Sequence, residues 1–83
     1  MFDSRFEVLI KVSQTGSFTQ AANELGISGA AVSKKIKSLE ERLGIVLFNR
    51  TTRVVTLTES GKKLFETVNR AGEEISETLD ALA

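Results

Sequence analysis

Apolar residues fall into groups separated by glycine or by polar turns. Phe2, Phe6, Leu9, Ile10 and Val12 recur at helical spacing, which predicts a first helix over about 3–15. Gly16 follows and suits the left-handed turn that closes a helix. Ser17 or Thr19 can cap a short second helix over 19–25, which carries the small pair Ala21 and Ala22 and is stopped by Gly26. Beyond apolar Ile27, Ser28 can cap a third helix over 29–43. There Val32, Ile36, Leu39 and Leu43 step by 4, 3 and 4 residues and form one apolar stripe. Gly44 ends it.

The pattern then changes period. β-Branched and aromatic residues flank a short polar turn around Thr51 and Thr52, predicting a two-stranded hairpin at roughly 47–50 and 54–57. Thr58 can cap a last helix running to about Leu82. Its apolar residues Leu64, Val68, Ala71, Ile75, Leu79 and Leu82 keep steps of 3 and 4. Leu64, Phe65 and Val68 can pack back on the preceding head, whereas Ile75, Leu79 and Leu82 lie too far along. The far stripe needs a partner: a second copy of the helix, parallel or antiparallel, or a further domain. The expected fold is mainly α, a three-helix head with a two-stranded wing over 1–57, then a long linker or dimerisation helix over 58–83.

Two helices joined at Gly26, the second with an exposed polar and basic face, form a helix-turn-helix pattern. Ala22 allows close approach. Ile27, Val32 and Ile36 can lock the third helix on the second. Gly29, Ala30, Ser33, Lys34, Lys37 and Ser38 are left on the outer face. A helix so placed fits the major groove of B-DNA, and its first amides can meet a phosphate. Arg50 and Arg53, at the ends of the hairpin, have the layout of a wing reaching the neighbouring backbone or minor groove. Each residue also has a plainer role. Ser28 caps a helix, Ser33 and the lysines Lys34, Lys35 and Lys37 can form a solvated face, the arginines can protect a hairpin edge, and Thr51 and Thr52 can be turn residues.

Composition narrows the chemistry. The 83 residues contain no Cys, His, Trp, Tyr or Pro. Disulfides, thiolate and imidazole metal ligands and the usual general base are therefore missing, so no metal and no cofactor is expected. No apolar run approaches a membrane span and no signal-peptide pattern is visible, which makes the cytoplasm the expected location. Lys+Arg and Asp+Glu are 11 each, but residues 1–55 carry a net +3 and residues 56–83 a net −3. The surplus peaks over 28–55, with six basic against two acidic side chains. One half of the chain can face a polyanion while the other avoids it.

The stretch FTQAANELGISGAAVSKKIKSLEERLGIVLFNRTTRVVTLTESG at 18–61 resembles the N-terminal winged helix-turn-helix of LysR-type transcriptional regulators. Four segments carry the likeness in order: GSFTQAA at 16–22, AVSKKIKSLEERLG at 31–44, LFNRT at 47–51 and LTESG at 57–61. The resemblance implies a bacterial, cytoplasmic, dimeric binder of near-palindromic double-stranded DNA, forming a homodimer, or a tetramer in a full-length parent. It implies a larger effector domain, which these residues do not include, and a linker helix that pairs subunits through Leu64, Val68, Ala71, Ile75, Leu79 and Leu82. Carried onto this chain, the DNA-facing set is Ser28, Gly29, Ala30, Ser33, Lys34 and Lys37, with Arg50, Thr51 and Arg53 on the wing. Where the family commonly has Gln-Pro or Gln-Ser, this chain has Gly29-Ala30. A Gln can bond an adenine edge and Gly29 cannot. Base reading is then expected to shift to Ser33, Lys34 and DNA shape, with the Gly29 backbone close to a phosphate.

Two other function classes remain to be weighed. A winged helix can serve only for protein docking, against which stands the basic surplus over 28–55. An enzyme has little to work with. Ser33 and Lys34 are adjacent on one helix, so their side chains diverge by about 100° and cannot act as a pair.

Overall fold

The computed structural model describes residues 3–50 and 53–83. Its elements follow the order α1 (Ser4–Thr15), α2 (Phe18–Leu25), α3 (Gly29–Leu43), β1 (Phe48–Asn49), β2 (Thr56–Leu57) and α4 (Glu59–Leu82). Each helix begins on a side-chain cap. Asp3 accepts from the Arg5 amide at 2.9 Å, Ser17 from Gln20 at 3.1 Å, Ser28 from Ala31 at 3.1 Å and Thr58 from Gly61 at 3.0 Å. Loss of a Ser or Thr cap costs about 1 kcal/mol. Of the two cap candidates for α2, Ser17 is the one used, which starts that helix at Phe18. Gly16, Gly26 and Gly44 close α1, α2 and α3 at φ of 67°, 69° and 67°, a conformation in which a Cβ is strained. Phe2, expected on the α1 stripe, lies outside the described residues.

The apolar faces converge on one core. Val8, Leu9 and Val12 come from α1, Ala21 and Ala22 from α2, and Val32, Ile36 and Leu39 from α3. Leu47 and Phe48 close it from the wing and Val68 from α4. Ala21 and Ala22 are buried, and their small size brings α2 against its neighbours. Ile27, partly buried, packs on the cluster and donates its amide to the Ala22 carbonyl at 3.1 Å, tying the turn to α2. Leu43 falls off the expected stripe. It is the last residue of α3 and is 46% exposed.

The wing is shorter than the β-branched pattern predicts. The strands are antiparallel, with Phe48 opposite Leu57 and Asn49 opposite Thr56. Other partners take the ladder groups on either side. The Leu47 amide donates to the Glu40 carboxylate at 2.8 Å, and the Val55 amide to the Gly16 carbonyl at 3.0 Å. The base is anchored again where Thr58 donates its amide to the Leu47 carbonyl at 2.9 Å and its hydroxyl to the Val46 carbonyl at 2.6 Å.

Helix α4 begins as part of the head and ends outside it. Gly61 and Val68 are buried and Leu64 packs on the core, whereas Leu79 and Leu82 are 55% and 79% exposed. At 1.5 Å per residue its 24 residues span about 36 Å. The radius of gyration, 13.2 Å, exceeds the roughly 12 Å of a compact domain this long. The second half of the helix accounts for that excess. Val68, about three turns past residue 57, thus still packs on the head, as expected of Leu64 and Val68 from their place along the helix.

Candidate nucleic-acid interface

Helix α3 supplies the outward face. Val32, Ile36 and Leu39 hold one side in the core and leave Ser33, Lys34 and Lys37 exposed on the other. At its start the Ser28 hydroxyl takes the Ala31 amide, and the Val32 amide donates to the Ser28 carbonyl at 3.1 Å. The amides of Gly29 and Ala30 have no partner among the described residues, and both residues are exposed. Two open N–H groups at the positive end of a helix dipole are a suitable seat for a phosphate oxygen. A Cβ built on Gly29 meets nothing within 4 Å, so the fold does not require glycine there.

The basic residues separate into engaged and open ones. Lys34 has no ion pair among the described residues, and Lys37 reaches Glu41 only at 4.0 Å with both side chains well exposed. Such a pair holds neither side chain firmly. Lys35 turns back instead, its ammonium donating to the Ser4 hydroxyl at 3.0 Å. Ser38, expected on the outer face, accepts from Arg5 at 3.0 Å. Arg5 also grips Asp3 through its Nε and Nη2 atoms. The Arg5 side chain, then its amide, hold the Asp3 carboxyl at about 2, below the ordinary 3.8. Asp3 in return raises Arg5.

On the wing, Arg53 is exposed and makes no hydrogen bond or ion pair among the described residues. Thr51 lies outside them. Arg50 has a different environment. Its Nη2 donates to Glu40 Oε1 at 3.1 Å, and its guanidinium carbon lies 4.8 Å from the centre of the Phe18 ring. Phe18 in turn meets the buried Phe48 edge to face, with centroids 6.0 Å apart. Sequence reasoning missed Glu40 and Phe18. Glu40 adjoins Leu39 of the apolar stripe, and periodicity alone reads it as a solvated flank. No group of three or more His, Asp, Glu or Cys suited to a metal occurs among the described residues. No helix among them is long and apolar enough to cross a membrane.

The α4 stripe divides. Val68 is 4% exposed and Leu64 packs beside it in the head. The surface of Val68 is used within one chain, which removes it from a helix-pairing seam. Ala71, Ile75 and Leu79 instead line a shallow trough with Glu74 and Thr78, and Leu82 beyond it is exposed.

A helix-turn-helix whose second helix is exposed, followed by a two-stranded wing, defines a winged helix-turn-helix domain. The chain belongs to the LysR family: the family described as "bacterial regulatory helix-turn-helix protein, lysR family" matches residues 4–62. It is 48% identical over 79 residues to the uncharacterized HTH-type transcriptional regulator YcaN of Escherichia coli K12, covering 95% of this chain and 26% of YcaN. To the HTH-type transcriptional regulator DmlR of the same strain it is 41% identical over 76 residues, covering 92% of this chain and 25% of DmlR. The chain thus spans about a quarter of the length of these curated relatives. Among solved structures, the BenM DNA-binding domain in complex with benA site 1 DNA superposes with a TM-score of 0.91 at 28% identity, covering 99% of this chain and 92% of that one. The CbnR DNA-binding domain in its DNA complex gives 0.85 at 28% identity, covering 98% and 93%.

Proposed function

We propose that this domain binds double-stranded DNA as the sequence-reading module of a bacterial transcription regulator. One observation carries the reading: the whole chain superposes on domains solved in DNA complexes, and the helix that would enter the groove is open and basic here. Helix α3 enters the major groove with Ser28, Gly29, Ala30, Ser33 and Lys34 toward the DNA. Lys37 meets the backbone, and the wing brings Arg53 and Thr51 to the adjacent backbone or minor groove. The domain has no catalytic role, needs no cofactor and works in the cytoplasm.

Two copies pair through α4. The seam runs along Ala71, Ile75, Leu79 and Leu82, with Leu64 at its edge. Parallel and antiparallel pairing would both bury that stripe. Twofold symmetry then calls for a near-palindromic site.

Selection from a random duplex pool, with solution mass recorded on the same sample, tests the reading. A twofold-related motif and a dimeric mass are expected. A flat pool from a folded dimer would defeat it and leave a docking module.

A further inference from the structure

Three elements meet at one guanidinium. Glu40 belongs to α3, Phe18 opens α2, and Arg50 stands where β1 leaves the head. The Glu40 side chain is only 16% exposed, and its two oxygens serve two parts of the wing's base. Oε2 takes the Leu47 amide at 2.8 Å and Oε1 takes Arg50 at 3.1 Å. The other contact of Arg50 is the Phe18 ring, backed by Phe48 in the core. A carboxylate on a helix that faces a polyanion repels it, so its place calls for another purpose. The wing supplies one. A ladder of two residues per strand cannot by itself fix the direction of a hairpin. A planar cation held between a carboxylate and an aromatic face can.

We propose that Arg50 is a positioning residue rather than a phosphate contact. With Glu40 and Phe18 it clamps the wing to α2 and α3 and so sets where Arg53, three residues on, meets the DNA. The clamp rests on the DNA-binding reading. Its role is also separable from that reading, because removing Glu40's charge acts oppositely in the two cases. If Arg50 leaves Glu40 to meet a phosphate, Glu40→Gln frees it and binding tightens. If Arg50 stays and aims the wing, Glu40→Gln loosens the wing and binding weakens.

The test uses the 83-residue chain, a labelled mixed-sequence duplex and the parent, Glu40→Gln, Arg50→Lys and the double variant, each made with and without Arg53→Ala. Thermal melts first establish that each is folded at the binding temperature. Arg50→Lys keeps a charge for a phosphate but loses the planar fork that fits carboxylate and ring together. Each single variant should weaken binding by roughly three- to tenfold, and the double variant no further, because both changes break one clamp. Each should also reduce the loss that Arg53→Ala causes in the parent. Parent-like binding by Arg50→Lys, or equal or tighter binding by Glu40→Gln, would overturn the clamp and make Arg50 a direct contact. Failure of the parent to bind any duplex would instead sink the DNA reading, and with it the purpose assigned to the clamp.

Discussion

A methyl group on Gly61 would overlap the backbone carbonyl oxygen of Leu47, and it would also crowd the Leu57 side chain at 2.9 Å. Gly61 is buried in the first turn of α4, where its amide is taken by Thr58. The Leu47 carbonyl it faces is fixed by the Thr58 amide. Neither side can retreat without breaking the joint between wing and helix. Gly61→Ala should therefore destabilise the head by about 1–3 kcal/mol despite the better helix propensity of alanine. Urea unfolding measures this, and a stability equal to or above the parent's would show that the joint yields.

Most of the fold was legible because local chemistry and periodicity agreed. Gly16, Gly26 and Gly44 ended helices where the apolar stripes ran out, and Ser28 and Thr58 stood one residue before the next helices. The helix-turn-helix followed from Ala22, Gly26, Ile27 and Val32. Tertiary partners were harder to see. Nothing local reveals that the Leu47 and Val55 amides turn to Glu40 and Gly16, which trims each strand to two residues. The stripe of α4 has one period along its length, so only distance along the helix divided Val68 from Leu79. Arg50 and Arg53 look alike in sequence, and only the position of Phe18 and Glu40 separates them.

Acid should reveal the clasp at the start of α1. Asp3 is held at about 2 by Arg5, below its ordinary 3.8. A lowered carboxylate value contributes stability that is present above the ordinary value and lost as pH falls through the folded one. The loss therefore falls between about pH 4 and pH 2. Carboxyl shifts followed by NMR should place the Asp3 midpoint near the lower end. Asp3→Asn keeps a capping oxygen but should remove this part of the acid sensitivity. A midpoint near the ordinary value would mean that Arg5 does not grip Asp3 in solution.

Substitutions along α4 should sort into two classes. Val68→Ala opens space in the head and is expected to cost about 1–3 kcal/mol of stability. Ile75→Glu with Leu79→Glu puts charge into the outer stripe and should leave the circular dichroism of the head intact while turning a dimer into a monomer by sedimentation. A dimer that survives the double change would place the subunit contact elsewhere.

Salt and single-site changes test the DNA face. A dimer that makes six to ten phosphate contacts should lose roughly 10³–10⁵ in affinity between 50 and 200 mM salt. Arg53→Ala should weaken all sequences about equally, while Lys34→Ala should also relax preference at one base position. Binding that ignores salt would rule out the phosphate model. A sharp change of sequence preference with Arg53→Ala would show that the wing reads bases.

Gly29 offers the cleanest separation of folding from reading. It is exposed at the first position of α3, has no positive φ, and leaves open space where a Cβ would stand. Glutamine is the better helix former, so Gly29→Gln should keep or slightly raise the melting temperature. The new side chain would stand at the end of the helix that enters the groove, where an amide can pair with the N6 and N7 edge of adenine. It would also crowd the approach of the bare backbone to a phosphate. Selection from a random pool should then return a different preferred motif, enriched in adenine at one symmetric pair of positions, from a protein no less stable. An unchanged motif would show that the first turn of α3 lies away from the bases, and would leave sequence reading to Ser33, Lys34 and the shape of the DNA.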